Sequence, residues 1–209
     1  MNKENNEQAI ALYTTYSQEF EWQSQERGGK YRSPLWLKMN ITVALLNYAY
    51  KKYFDIDVNP DELNVHNYPH VKEYGGLYFA YALGEKSVIV AIGGKPLTIG
   101  AASRPLDNEW RPDERLLHPN ELAQYEQSGF SPDELCQIWS RKIAYRELHN
   151  IDKPKDADPF DNSFQKNIDG TQGEYSMHRF DHDRLVHHIA VTGKAEFAEV
   201  PIEEFFKLD

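Results

Sequence analysis

Hydrophobic and polar positions divide the chain into stretches of different period. Residues 7–21 mix helix-forming side chains with polar ones, which predicts a first helix followed by a loop. Pro34 can begin the next helix, because proline is favoured in a first helical turn. Apolar residues are so dense between Leu35 and Ala49 that this second helix is expected to be buried on more than one face.

Strand-like patterns replace the helical ones after residue 76. Short apolar runs at 77–83, 87–92 and 96–99 are separated by Gly84-Glu85-Lys86 and by Gly93-Gly94. Glycine-containing turns between short apolar runs are typical of antiparallel strands joined by hairpins. The sequence therefore predicts a three-stranded meander.

Two further helices are predicted beyond the meander. Pro119 is well placed to begin a short helix through Glu126. The stretch 131–134, Ser-Pro-Asp-Glu, has the form of a capping box, and apolar residues follow it at helical spacing. Residues 150–177 are rich in Asp, Asn, Lys and Gly, so we expect an exposed, mobile connection there.

A faint internal repeat links the middle of the chain to its end. Residues 90–95, VAIGGK, are echoed by residues 189–194, IAVTGK. Each segment has a hydrophobic strand end and a Gly-Lys turn, and each is followed by a second strand. The echo predicts matching hairpins at 79–99 and 185–200 in an α+β chain of two similar halves, divided at 1–106 and 107–209.

Composition narrows the function classes. The chain has 209 residues with 40% hydrophobic and 13% aromatic residues, and no apolar run approaches the roughly 20 residues that span a bilayer. The N-terminal residues lack the pattern of a secretory signal, so we expect a cytoplasmic protein. The net charge of −10, without a basic patch, argues against nucleic acid and anionic membranes as partners. The single cysteine, Cys136, is expected in the core.

Three segments carry a resemblance to a known family. They are the strand Phe79-Ala80-Tyr81-Ala82-Leu83-Gly84, the segment Gly100-Ala101-Ala102-Ser103-Arg104, and the helix from Trp139 to Glu147. In order and spacing they resemble the core of the phosphopantetheinyl transferases of the surfactin-synthetase type. Those enzymes move phosphopantetheine from coenzyme A to a serine of a carrier protein, and their two similar α/β halves pack about a pseudo-twofold axis.

The residues that perform the family's chemistry are replaced in this chain. The polar coenzyme A contacts of the first strand correspond to Ala82, Leu83 and Gly84. Ala102 and Arg104 stand where the resemblance implies two magnesium carboxylates. Further along the chain, the resemblance maps onto four more positions. Glu121 matches a glutamate that often follows the family's first metal motif, and Lys142 matches a lysine that faces the substrate phosphates. Ile143 stands in place of the third metal carboxylate, and Glu147 stands in place of a final lysine.

The losses change the expected activity. Attack on a pyrophosphate builds negative charge that a cation must neutralise, and magnesium is usually held by carboxylates together with substrate oxygens and water. Without the three carboxylates, we expect a catalytically degenerate member of the superfamily that needs no cofactor and has no residue assigned to catalysis, coenzyme A or metal. It would act by binding another protein, such as a carrier protein or a synthase, at a remodelled cleft. Arg104 and Lys142 are expected to pair with acids instead of phosphates.

Two alternatives remain open. An active holo-[acyl-carrier-protein] synthase could hold magnesium and coenzyme A through relocated acids such as Asp107, Glu109 or Glu147, or could use Arg104 and Lys142 without a metal. A different small molecule could also bind in the remodelled cleft.

Four histidines form a last candidate group: His178, His182, His187 and His188. The adjacent pair is expected on a strand, where neighbours point to opposite faces, and the first two are expected in a loop before it. This geometry favours structural or surface roles over a metal site.

Overall fold

Two β-sheets, each packed against a long helix, organise the structure, which is a computed structural model. It describes residues 8–26, 33–63, 65, 72–103, 117–148, 169–172, 175–182, 185–191 and 194–207. The helices are α1 (Gln18–Glu26), α2 (Pro34–Phe54), α3 (Pro119–Gln127) and α4 (Pro132–Leu148). The strands are β1 (Gln8–Thr15), β2 (Lys72–Tyr74), β3 (Leu77–Leu83), β4 (Ser87–Gly93), β5 (Leu97–Ser103), β6 (Asp169–Gln172), β7 (Tyr175–His182), β8 (Leu185–Val191) and β9 (Lys194–Glu199), and a short 3₁₀ helix follows at Ile202–Glu204.

The first unit comprises residues 1–95 and 195–209. Its sheet has the strand order β2-β3-β4-β1-β9, and α2 packs on β1 and β4. The helix begins as predicted, with Pro34 in its first turn and the Ser33 side chain accepting a hydrogen bond from the Trp36 N–H. It ends at Phe54, and the left-handed φ of 54° at the next residue, Asp55, turns the chain so that the Ile56 N–H donates to the Tyr50 carbonyl oxygen.

The prediction of one helix at 7–21 is wrong. Residues 8–15 form β1, which pairs antiparallel with β4 from Ile10 opposite Ile92 to Thr15 opposite Ser87. Every residue of β4 is buried, so a strand beside it gains both hydrogen bonds and apolar contacts. That pairing overrides the weak local preference for helix, and α1 begins only after Ser17.

The second unit comprises residues 96–194. Its sheet has the order β5-β8-β7-β6, and α4 packs on β5 and β8. Strand β5 pairs antiparallel with β8 along its whole length, from Leu97 opposite Val191 to Ser103 opposite Leu185. Both predicted helices of this unit are present, α3 beginning at Pro119 and α4 at Pro132.

The predicted meander is only partly correct. Strands β3 and β4 form the expected hairpin, but β5 leaves that sheet and joins β8. Likewise, β8 lies in the second sheet and β9 in the first. The hairpins predicted at the two Gly-Lys segments are therefore wrong, because β4 and β5 lie in different sheets, and so do β8 and β9. Pairing with β8 and close packing against α4 hold β5 in the second sheet.

The two units present their elements in the same sequence order. Strand, two helices and three strands run from β1 to β4 in the first, and from β5 to β8 in the second. The strand orders also correspond, β2-β3-β4-β1 and β6-β7-β8-β5. The fold is mixed α+β. The division differs from the predicted 106/107 boundary, because β5 joins the second sheet and residues 195–209 return to the first unit.

Candidate functional site

Helix α4 lies directly on strand β5, and this contact positions the residues that follow it. A Cβ atom added to Gly100 would lie 1.9 Å from the Ser140 carbonyl oxygen and 2.5 Å from the Ala144 nitrogen. The Thr98 hydroxyl donates a hydrogen bond of 2.6 Å to the Ala144 carbonyl oxygen. Glycine and small residues at the crossing let helix and strand backbones touch, which fixes the rotation of α4 about its axis.

A second face of α4 packs against α3. Leu135 and Ile138 are fully buried in a cluster with Leu117 and Tyr125. Lys142 follows Leu135 by seven residues and Ile138 by four, so it lies on this same face. On α3, Glu121 precedes Tyr125 by one helical turn, which points both side chains in one direction. Helical spacing therefore brings a lysine and a glutamate together inside an apolar contact.

The pair is enclosed. Lys142 Nζ lies 2.7 Å from Glu121 Oε2, and both side chains are 0% exposed. The same carboxylate oxygen accepts a 2.9 Å hydrogen bond from the His118 N–H, so Glu121 also caps its own helix. A carboxylate taken out of water needs such donors, because a buried charge without a partner costs several kcal/mol. The pair holds α3 against α4 through charge as well as through apolar packing.

The outcome for these two predicted site residues is mixed. Pairing of Lys142 with an acid was expected and is confirmed. The sequence matches Glu121 to a glutamate that often follows the family's first metal motif, but it does not predict Glu121 as the buried partner of Lys142. The spacing from His118 to Glu121 is that of a capping box, but histidine is not a usual first member, so the pattern gave a weak signal.

The family-equivalent metal positions lie on an apolar part of α4 and β5. Ala102, 9% exposed, packs with Cys136 and Trp139. Ile143 follows Trp139 by four residues and Cys136 by seven, so it lies on the helix face that Ala102 contacts. It is half-buried, as is Glu147 one turn later. These positions present carbon and sulfur to one another, and the expected core role of Cys136 is confirmed.

Other candidate positions fall elsewhere. Ala82 and Leu83 end β3 in the first unit, and the Gly84 N–H donates to the Ser87 carbonyl oxygen in the hairpin turn. Arg104, like Asp107 and Glu109 of the relocated-ligand alternative, lies outside the described residues, as does most of the predicted 150–177 connection. Within the described ranges, no three His, Cys, Asp or Glu side chains are close enough together to hold a metal ion.

The four histidines lie on two neighbouring strands. His178 and His182 belong to β7, so the prediction of a loop for them is wrong. His187 and His188 lie on β8 as expected. The backbone register places His178 opposite Ile189 and His182 opposite Leu185. Extended pairing along both strands explains why this segment is not a loop.

Sequence reasoning missed one buried cation altogether. Arg141 is 1% exposed, and its Nε, Nη1 and Nη2 atoms have no hydrogen-bond partner among the described residues. Burial lowers the pKa of this guanidinium to about 10, so it stays charged at neutral pH. In the sequence, Arg141 resembles an ordinary exposed arginine beside Lys142, and no pattern indicates that it is buried.

Comparison with known proteins adds no family assignment. No protein-family model matches the chain, and a search of curated proteins finds no match. Among the described helices, none has the length and apolar character needed to cross a membrane.

Proposed function

We propose that this chain is a phosphopantetheinyl transferase-like protein that has lost metal-dependent transfer and acts by binding another protein. The observation that carries the proposal is the enclosed contact between Glu121 and Lys142. Both residues match family positions: Glu121 matches a glutamate that often follows the first metal motif, and Lys142 matches a lysine that faces phosphates. Here they neutralise each other at 2.7 Å with no exposed surface.

The neighbouring positions support the same reading. A magnesium ion needs oxygen ligands at about 2.0–2.1 Å in octahedral geometry. Ala102 and Ile143, which stand where the family has carboxylates, offer only carbon, and the Glu121 oxygen nearest to Lys142 already accepts two hydrogen bonds. A metal at Glu121 would have to displace an ammonium from a contact that water does not reach.

The proposed architecture is that of the family, two similar halves related by a pseudo-twofold axis. Support comes from the shared order of strand, two helices and three strands, and from the matching strand orders. In each unit the long helix packs on the first and last strands of that series. Duplication of one supersecondary unit explains why the two units share their order of elements and of strands, whereas two unrelated units would have to have acquired the same order independently.

The proposed setting is the cytoplasm, and the proposed partner is a carrier protein or the synthase that contains it. A net charge of −10 would slow approach to an acidic carrier, so complementarity must come from local contacts. The remodelled cleft of the resembled family is the proposed docking site.

A transfer assay tests the loss of activity. The protein is incubated with coenzyme A, magnesium and several apo-carrier proteins, and the mass of each carrier is measured, with an active phosphopantetheinyl transferase as the positive control. We expect no mass increase with this chain. Transfer that EDTA abolishes and magnesium restores would contradict the proposal.

A binding assay tests whether the protein binds a carrier protein or a synthase. Each apo-carrier, and an intact synthase module, is titrated against the protein by calorimetry with magnesium and then with EDTA. We expect binding of at least one of them, with the same affinity in both buffers. An affinity that depends on magnesium and coenzyme A would instead favour the active-transferase alternative, and absence of binding to any of them would exclude this class of partner.

A further inference from the structure

Among the described residues, Arg141 differs from the two cations near it, Lys142 and Arg179, in having no hydrogen-bond acceptor. Its neighbour Lys142 contacts Glu121, and Arg179 on β7 pairs with Asp181 and, through Nη2, with Asp133 Oδ2 at 3.5 Å. Arg141 is as deeply buried as Lys142, yet none of its three guanidinium nitrogens is hydrogen-bonded to a described residue. The molecule thus pairs the cations on either side and leaves this one unpaired.

The acids near Arg141 already have other donors. Glu121 accepts from Lys142 and from the His118 N–H, and Glu134 accepts from the side-chain amide of Gln124. Both acids are close enough to raise the pKa of Arg141 slightly against the larger effect of burial, but neither lies within hydrogen-bond distance. Internal charge therefore offsets part of the cost of burial and supplies none of the hydrogen bonds.

A guanidinium has five N–H donors in a planar fork that matches the oxygens of a carboxylate or a phosphate. Buried polar groups are almost always hydrogen-bonded, and leaving a charged donor unsatisfied costs more than leaving a neutral one. Arg179 adds a second guanidinium within electrostatic range of the first. Two cations that approach each other are stabilised when an anion lies between them.

This feature is separate from the family-equivalent positions. Successive residues of an α-helix are rotated by about 100°. Arg141 is therefore about 100° from Lys142 and about 160° from Ile143 around α4. Arg141 lies within electrostatic range of Arg179 of β7, and it belongs neither to the Glu121–Lys142 pair nor to the apolar contact of Ala102 with Cys136 and Trp139.

From this arrangement we propose an anion-binding site in the second unit, at which the Arg141 guanidinium holds a small oxyanion, a phosphate or a carboxylate group, with Arg179 as the second contact. The enclosed position of Arg141 limits the ligand to a small group. Arg179 has a side chain 16% exposed and is the more accessible of the two arginines. The site does not depend on the proposed function, because neither Arg141 nor Arg179 stands at a position that the resemblance assigns to metal, coenzyme A or phosphate.

Thermal unfolding of the full chain tests the site with inorganic phosphate and with acetate, at an ionic strength held constant with potassium chloride. A ligand at ten times its dissociation constant should raise Tm by about 3–6 °C for a protein of this size. Arg141→Met should unfold at the same or a higher temperature without anion and should lose the anion-dependent rise. Lys52→Met, which removes an exposed lysine of α2, is the matched control and should keep it.

The two anions distinguish the ligand classes. A rise with phosphate alone identifies a phosphoryl group, and a rise with acetate identifies a carboxylate. If neither anion raises Tm, or if Arg141→Met responds as the parent protein does, the proposal is wrong.

A second measurement avoids any dependence on the variant's folding. The Nε–H resonance of Arg141, assigned in the parent protein, should shift and saturate as phosphate or acetate is added, and the Arg179 resonance should shift with the same midpoint. An Arg141 resonance that stays in place throughout both titrations would overturn the site. Neither result changes the expected outcome of the transfer assay, so the two proposals fail independently.

Discussion

Replacing Lys142 with methionine should destabilise the protein strongly, although the two side chains have similar length. The substitution removes the ammonium that lies 2.7 Å from Glu121 Oε2 and leaves a fully buried carboxylate. Breaking a buried ion pair in this way typically costs about 3–5 kcal/mol. That is a large share of the roughly 5–15 kcal/mol by which proteins are stable. For a chain of this length it corresponds to a fall in Tm of roughly 6–20 °C.

A double-mutant cycle separates the pair from the other contacts of Glu121. Glu121→Gln removes the negative charge but keeps an oxygen that can accept from the His118 N–H, so the helix cap is preserved. Either single variant leaves one buried charge, whereas Glu121→Gln with Lys142→Met leaves none. The double variant should therefore be more stable than the sum of the single effects predicts, with a coupling free energy of about 2–3 kcal/mol.

Urea denaturation followed by tryptophan fluorescence gives the four unfolding free energies, and Trp139 on the same helix reports on α4. A substitution of an exposed lysine, Lys51→Met, controls for loss of positive charge. The reasoning would be refuted if Lys142→Met cost less than about 1 kcal/mol, or if the two single effects simply added.

Three further outcomes follow from the structure. Gly100→Ala should lower the free energy of unfolding by about 2–3 kcal/mol or more, because the new Cβ would lie 1.9 Å from the Ser140 carbonyl oxygen and force α4 away from β5. A change below about 0.5 kcal/mol in urea denaturation would contradict that packing. Ser33→Ala should lower the unfolding free energy by about 1 kcal/mol through loss of the α2 cap, whereas Ser33→Asp should retain most of it. The folded pKa of Arg141, about 10, lies below its usual value, so the unfolded chain binds more protons above pH 10 and stability rises with pH there. The advantage of Arg141→Met in anion-free buffer should therefore shrink above pH 10, and a constant difference from pH 8 to 11 would show that the guanidinium does not titrate in this range.

Much of the local structure could be predicted because its signals are local. Proline in the first turn located α2, α3 and α4, and short apolar runs with glycine turns located β3 and β4. The sheet that each strand joins depends on distant partners. Strand β5 follows β4 after three residues, yet it pairs with a segment more than eighty residues away. No short-range pattern encodes that choice.

In the candidate site, too, some features could be predicted from the sequence and others depend on tertiary packing. Ala102 and Ile143, which stand where the resemblance implies carboxylates, can be identified in the sequence alone, and so can Lys142, which stands where it implies a phosphate-facing lysine. Which acid Lys142 would meet depended on how α3 docks on α4, and that docking follows from apolar residues on both helices. The burial of Arg141 could not be foreseen, since it depends on tertiary packing and not on the neighbours of Arg141 in the chain.

The position of Lys142 also bears on whether a few substitutions could build a metal site at the positions that the resemblance maps to metal ligands. Ala102 is 9% exposed and packs with Cys136 and Trp139, so Ala102→Asp would place a carboxylate among carbon and sulfur atoms. Ile143→Glu would add a second carboxylate on the same helix face, and two nearby buried negative charges repel each other until a cation arrives. Lys142 cannot serve as that cation, because it lies about 100° around the helix and is already bound to Glu121. A metal would then have to offset both desolvation costs by itself, so one added carboxylate alone would not favour metal binding. The buried pair and the apolar contact thus stabilise the fold in its present form and oppose metal binding at these positions.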